Sequence, residues 1–144
     1  LAEERRQAGD YCSGRPRAVI QEIIETITLD GLDAAGNLER WRGLVQQFAL
    51  SASRFEVHCW EDEGEAIVLA LDHGKEKAAD WPHGRVFAGA VTPAFVQTLL
   101  TQPLPGEGTA VPRLTPFFSI FFDNGFSSEH YGTEVHITTE EDDP

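Results

Sequence analysis

Histidine and cysteine are the residues of this sequence with the most evident chemical potential, because together they supply the common zinc ligands of proteins. The chain contains five histidines and two cysteines, but none of them follows a C-x-x-C, H-x-x-x-H or H-E-x-x-H spacing. His58 and Cys59 are neighbours in a predicted strand and therefore point to opposite faces of the sheet. We expect no bound metal.

A second arrangement involves His58 and His136, each of which follows a glutamate by two residues, Glu56 and Glu134. Residues i and i+2 of a strand share a face, so each pair is predicted to lie on the polar face of the sheet. A pocket built from His58, His136 or His130 would suit a small enzyme or ligand-binding domain that uses acid–base chemistry. Ordinary surface histidines give the same pattern, and both interpretations stay open.

The residue types of nucleophilic catalysis occur together in the segment 125–132, which contains Ser127, Ser128, Glu129 and His130. The segment is not a G-x-S-x-G motif, and no helical sequence follows it to form a strand-to-helix elbow. Residues so close in the chain do not meet in triad geometry. We interpret the segment as a polar loop between the last two strands, in which His130 and Tyr131 are suited to anchor an interface.

Phosphate-binding motifs are also missing. Gly106 and Gly108 follow prolines and open no helix, and Glu107 between them places a carboxylate where a phosphate would bind. The sequence therefore predicts no nucleotide cofactor, and we expect a binding protein rather than an enzyme.

Acidic residues are concentrated after residue 60. Residues 1–60 hold 9 acidic and 7 basic side chains and residues 61–144 hold 15 and 4, so most of the net charge of −13 lies in the second part. Such a field repels phosphate backbones and anionic lipid and accelerates encounter with a cationic partner. We expect neither nucleic acid nor membrane as a partner.

The acidic residues of the second part flank Trp81, an aromatic residue of the kind that anchors protein interfaces. A solvated acidic surface is one interpretation of this pattern, and a face that binds a protein partner is the other. The residues predicted to bind the partner are Glu61, Asp62, Glu63, Glu65, Asp72, Glu76, Asp80, Trp81, Glu129, His130 and Tyr131.

Length and composition favour one globular domain over residues 1–144, with a loose lead-in over 1–14 and a frayed acidic tail over 140–144. No run approaches the roughly 18 to 20 apolar residues of a membrane span, and the first ten residues are too charged for a signal peptide. Two cysteines imply no disulfide framework. We expect a cytoplasmic protein with reduced cysteines.

Three helices are predicted. Apolar residues spaced three and four apart indicate a first helix over 16–28, Asn37 is the predicted N-cap of a second that runs to Leu50, and Thr92 caps a third that must end before Pro103.

Five strands are predicted over 54–60, 66–71, 86–91, 117–122 and 134–139, with surface loops over 72–84 and 103–112. A turn at 61–65 joins the first two strands in a β-hairpin. The segment 117–122 is rich in phenylalanine and suits a central strand covered on both faces; a carrier lined by these rings is an alternative. The pattern predicts an α+β class, with helices on one face of a mainly antiparallel sheet.

A small α+β chain with acidic stretches at 61–65 and 72–81 and no catalytic motif resembles bacterial immunity proteins, the inhibitors of toxin–immunity systems such as contact-dependent growth inhibition. The resemblance implies a toxin domain as partner, often a basic nuclease, held inactive when acidic side chains cover its substrate site. We hypothesise that carboxylates of the 61–65 turn, the 72–80 loop and Glu129 mimic substrate phosphates in a cationic cleft.

Overall fold

A computed structural model describes residues 20–103 and 113–142 of the chain. The strands are β1 (Ile20–Thr28), β2 (Arg54–Trp60), β3 (Lys75–Lys77), β4 (Gly84–Ala90), β5 (Ser119–Phe122), β6 (Phe126–Glu129) and β7 (Glu134–Asp142). The helices are α1 (Ala34–Ala49), α2 (Gly64–Leu71) and α3 (Pro93–Thr101). The predicted α+β class is confirmed, with two more strands than expected. No helix of the described residues is long and apolar enough to cross a membrane.

All seven strands form one sheet in the order β1-β7-β6-β5-β2-β4-β3, and every neighbouring pair is antiparallel. The register places Phe55 opposite Phe122 and Val57 opposite both Ile120 and Phe87. These side chains form one buried core with apolar residues of α1, α2 and α3. The three helices therefore pack on the same face of the sheet.

The second face of the sheet carries no helix within the described residues. The register aligns one row of side chains across it, from Glu56 through Phe121, Ser127 and His136 to Thr26. Polar and aromatic residues alternate along this row, and Phe121 is only half buried. The segment 117–122 thus lies centrally in the sheet, as predicted, but a helical layer covers it on one side alone.

Side-chain caps fix the starts of the two longest helices. The Asp33 carboxylate accepts a hydrogen bond from the Gly36 amide at 2.8 Å, so α1 begins before Asn37, the predicted cap. Asn37 is instead buried in the first turn, where it bonds the backbone of Leu32. The Thr92 hydroxyl accepts from the Phe95 amide at 3.1 Å, and this confirms the predicted start of the third helix.

The predicted first helix is wrong over residues 20–28, which form β1 in nine-residue register with β7. The isoleucines of this segment are spaced three and four apart, so their spacing favours a helix while their residue type favours a strand. Isoleucine and threonine branch at Cβ and favour strands. Ile27 packs against the core, whereas Ile24 lies on the second face and is 60% exposed. Residues 16–19 lie outside the described residues.

The predicted hairpin after β2 is also wrong, because residues 66–71 belong to helix α2. Periodicity alone does not separate a short apolar strand from a short buried helix. Alanine and leucine, which make up much of this run, are strong helix formers. The Ile67 amide bonds the Glu63 carbonyl at 3.0 Å, so residues 61–63 lead from β2 into α2.

The segment predicted as the loop 125–132 contains β6, which pairs with both β5 and β7. A tight turn at Asp123, Asn124 and Gly125 joins β5 to β6, and Gly125 has a φ of +89°. An Asn-Gly pair is a hairpin signal in the sequence.

Two further expectations are corrected. The loop 72–84 contains the short edge strand β3, and residues 140–142 of the predicted tail pair with β1 as part of β7. The lead-in 1–14 and residues 104–112 of the predicted loop lie outside the described residues.

Candidate functional site

One end of the sheet gathers segments that are far apart in sequence. Strands β2 and β6 end at the same edge, because both run antiparallel to β5. The residues around these strand ends line an open depression of about 500 Å³. We call it the sheet-end site; its residues are Trp60, Glu61, Asp62, Glu63, His83, Arg113 and Tyr131.

Glu63 holds the sheet-end site together. Its carboxylate accepts hydrogen bonds from the Trp60 amide at 2.8 Å, from the Tyr131 hydroxyl at 2.7 Å and from Arg113 at 3.3 Å. The Glu63 side chain is only 14% exposed. A carboxylate that is largely buried is stable when several donors bond it. The charge of Glu63 is therefore balanced by contacts within the protein.

Arg113 and Tyr131 form the far wall of the depression. The Arg113 guanidinium lies 4.0 Å from the centroid of the Tyr131 ring, a cation–π contact. Burial, together with the hydrogen bond to Glu63, raises the pKa of Tyr131 to about 12. The phenol therefore stays protonated at neutral pH and serves as a donor to Glu63.

The backbone at this end of the sheet adopts an uncommon conformation. Among the described residues other than glycine, φ is positive at His83, His130 and Tyr131, with values of 63°, 53° and 59°. Gly132 follows with a φ of 90°. Residues in such conformations store strain, persist only when their surroundings hold them, and cluster at functional sites.

Backbone hydrogen bonds hold Tyr131 in this conformation. Its amide donates to the Phe118 carbonyl at 3.1 Å, and its carbonyl accepts from the Leu114 and Thr115 amides at 2.7 and 3.2 Å. The segment before β5 therefore fixes the turn between β6 and β7. The Tyr131 ring is positioned by backbone contacts as well as by Glu63 and Arg113.

A continuous row of rings extends from the sheet-end site onto the second face. We call it the aromatic stripe; in order it comprises Phe121, His58, Trp81, Trp60 and Phe118. Consecutive ring centroids are 4.9, 5.5, 4.6 and 5.2 Å apart, and every member is half buried. Phe118 also meets Tyr131 and His130 edge-on. A partner can therefore contact the stripe and the depression together.

Gly84 allows Trp81 to take its place in the stripe. A Cβ atom at Gly84 would collide with the Trp81 ring, so only glycine lets the indole lie against the start of β4. The Trp81 carbonyl accepts a hydrogen bond from the Gly84 amide at 3.1 Å.

The structure brings together only part of the predicted partner-binding set. Glu61, Asp62, Glu63 and Tyr131 line the depression. Trp81 belongs to the aromatic stripe, and His130 contacts one of its rings, Phe118. Asp80 is exposed beside Trp81.

The remaining predicted residues lie elsewhere. Glu65 and Asp72 are exposed on α2 and at its end, and Glu76 of β3 is held by two bonds from Arg85. Glu129 lies on the second face, 3.6 Å from His136.

The two histidine–glutamate pairs form as predicted but do not share a pocket. His58 lies 2.7 Å from Glu56, and His136 lies 2.9 Å from Glu134. Strands β5 and β6 separate β2 from β7, which places the pairs roughly 14 Å apart at the usual strand spacing. No group of three histidine, cysteine, aspartate or glutamate side chains in the described part of the chain is arranged to hold a metal ion.

Sequence reasoning missed three residues of this region: Trp60, His83 and Arg113. Trp60 offered a signal, since a large aromatic residue on the polar face of a predicted strand is unusual. Arg113 is one of only four basic residues after residue 60, which singles it out as well. His83 carried no comparable signal, because only the tertiary fold brings its loop to this end.

No protein-family model matches the chain, and comparisons with curated proteins and with solved structures give no significant match.

Proposed function

We propose that this protein is an immunity-type inhibitor that binds a basic toxin domain, such as a nuclease, and neutralises it. The observation that carries the proposal is the continuity of the aromatic stripe with the exposed acids of the sheet-end site. Interfaces of high affinity combine buried aromatic anchors with complementary charge at the rim.

The charges of the site favour a cationic partner. Glu63 is occupied by Arg113 and Tyr131, but Glu61 and Asp62 are exposed at the mouth of the depression. The net charge of −13 extends this local field over the molecule. In the proposed complex these two carboxylates take the positions of substrate phosphates in the cationic cleft of the toxin.

The aromatic stripe supplies affinity in this mechanism. Trp60 joins the stripe to the depression, since it packs on Trp81 and Phe118 and also lines the site. Tryptophan is the residue type most enriched among interface hot spots, where truncation costs about 2 kcal/mol or more. Trp60→Ala should therefore weaken binding by about thirtyfold or more.

We expect a gene adjacent to that of this protein to encode a basic toxin domain, and the test mixes that domain, once purified, with this protein. We expect stoichiometric binding, loss of toxin activity, and an association rate that falls about tenfold or more between low and physiological salt. Asp62→Asn should slow association more than Asp72→Asn, which removes the same charge from an exposed position at the end of α2. An association rate indifferent to salt, or equal effects of the two variants, would refute the electrostatic mechanism.

A further inference from the structure

We propose that the sheet-end site is a guanidinium-binding pocket, which receives one arginine side chain of the partner between Trp60 and the carboxylates of Glu61 and Asp62. The identity of the arginine as a partner residue rests on the proposed function. The chemical preference of the pocket does not, because it follows from the residues that line it.

The pocket already contains one guanidinium bound in this way. Arg113 lies on the face of Tyr131 at 4.0 Å and bonds the Glu63 carboxylate at 3.3 Å. An aromatic face beside a carboxylate is thus a combination that this site uses to hold a guanidinium. Trp60, Glu61 and Asp62 also line the depression, and they supply an aromatic ring and two carboxylates that Arg113 does not use.

The open side retains unbalanced negative charge. Arg113 neutralises Glu63, while the Glu61 side chain is 50% exposed and lies 3.1 Å from His83, itself 82% exposed. Asp62 is exposed as well. Two carboxylates therefore face solvent beside a half-buried indole, and an anion or a neutral apolar group would leave them without a counter-charge.

Arginine fits this pocket better than lysine does. Its guanidinium is planar, stacks on aromatic faces and donates in a fork that matches carboxylates, whereas an ammonium is compact and strongly hydrated. Tryptophan is also the strongest cation–π partner among the aromatic residues. A depression of about 500 Å³ accommodates a whole side chain.

The test compares two small probes of the same shape, Nα-acetyl-arginine methylamide and its uncharged isostere Nα-acetyl-citrulline methylamide. Two-dimensional ¹H–¹⁵N NMR spectra report the three tryptophan indoles separately. Trp41 is fully buried and donates to Ser128, so its resonance serves as an internal control. We expect the arginine probe to shift the Trp60 and Trp81 resonances with a dissociation constant of about 1–10 mM, at least about fivefold tighter than citrulline.

Variants locate the effect. Asp62→Asn should remove the preference for arginine over citrulline, whereas Asp72→Asn should keep it. Trp60→Phe retains a ring and should weaken the arginine probe, and its resonances show whether the fold is intact. Equal shifts with both probes, or no shift at Trp60, would overturn the pocket. If the toxin domain binds but the arginine probe does not, the pocket is wrong and the inhibitor proposal stands. If the probe binds and no basic toxin domain does, the guanidinium pocket is supported and the inhibitor proposal is wrong.

Discussion

Replacing His130 by glycine or by alanine gives a direct measure of the backbone strain in the turn between β6 and β7. His130 has a φ of 53°, a left-handed conformation in which a Cβ atom crowds the following carbonyl. Both variants remove the same imidazole, which is 61% exposed and lies 3.9 Å from Glu134. The difference between them therefore reports on the backbone alone.

Alanine is usually more stable than glycine in a folded protein, but at position 130 we expect the glycine variant to be the more stable one. A left-handed alanine is unfavourable by about 1–2 kcal/mol, and the greater freedom of glycine in the unfolded chain offsets about 0.5–1 kcal/mol of this. His130→Gly should therefore be more stable than His130→Ala by about 1 kcal/mol. For a domain of this size, that corresponds to roughly 3–4 °C in the melting temperature.

Urea unfolding followed by tryptophan fluorescence provides the measurement. Asp72 supplies a control pair, because it is exposed and has an ordinary right-handed conformation with a φ of −67°. There glycine should be less stable than alanine by about 0.5–1 kcal/mol. An alanine variant at position 130 as stable as the glycine variant would show that the turn is not held in the left-handed region.

Two further predictions concern the contacts of Glu63. Glu63→Gln should lower the free energy of unfolding by about 1–3 kcal/mol, because Arg113 and Tyr131 lose the carboxylate that they bond. The control Glu65→Gln, at an exposed position of α2, should change that free energy by less than about 0.5 kcal/mol. Equal losses for the two variants in urea unfolding would contradict the role of Glu63. Burial raises the pKa of Tyr131 from 10.0 to about 12, so the native state keeps a proton that the unfolded chain releases, and stability should fall as pH rises from 10 to 12. Tyr131→Phe should remove that part of the fall, and parallel curves for the two proteins would refute it.

Local sequence signals predict a helix or strand correctly where they all favour the same type of element. The alternation of Phe55, Val57 and Cys59 with polar residues matches one buried face of β2, and the Thr92 cap marks the start of α3. In β1 and α2 the local signals were ambiguous. The isoleucines of β1 have a helical spacing but strand-favouring side chains, and only pairing with β7, distant in sequence, selects the strand.

The sequence predicts four of the seven residues of the sheet-end site but not their arrangement. Residue type alone predicts partner binding for the acids at 61–63 and for His130 and Tyr131, although the sequence pattern places the first in a hairpin and the second in a loop. Their proximity depends on β6, which the Asn124-Gly125 turn joins to β5. Trp60 and Arg113 enter the site through tertiary contacts, which local periodicity does not encode.

The pairing of β1 with β7 has a consequence for the synthesis of the protein. Thr26 and His136 are in register although 110 positions separate them, so β1 leaves the ribosome long before its partner exists. At about 5–20 residues per second, that interval is on the order of 5–20 s. An isoleucine-rich strand without a partner is prone to aggregation, and the glutamates at 22 and 25 interrupt its apolar run as gatekeepers do. We expect their charge to limit aggregation of the nascent chain during this interval, before the sheet is complete.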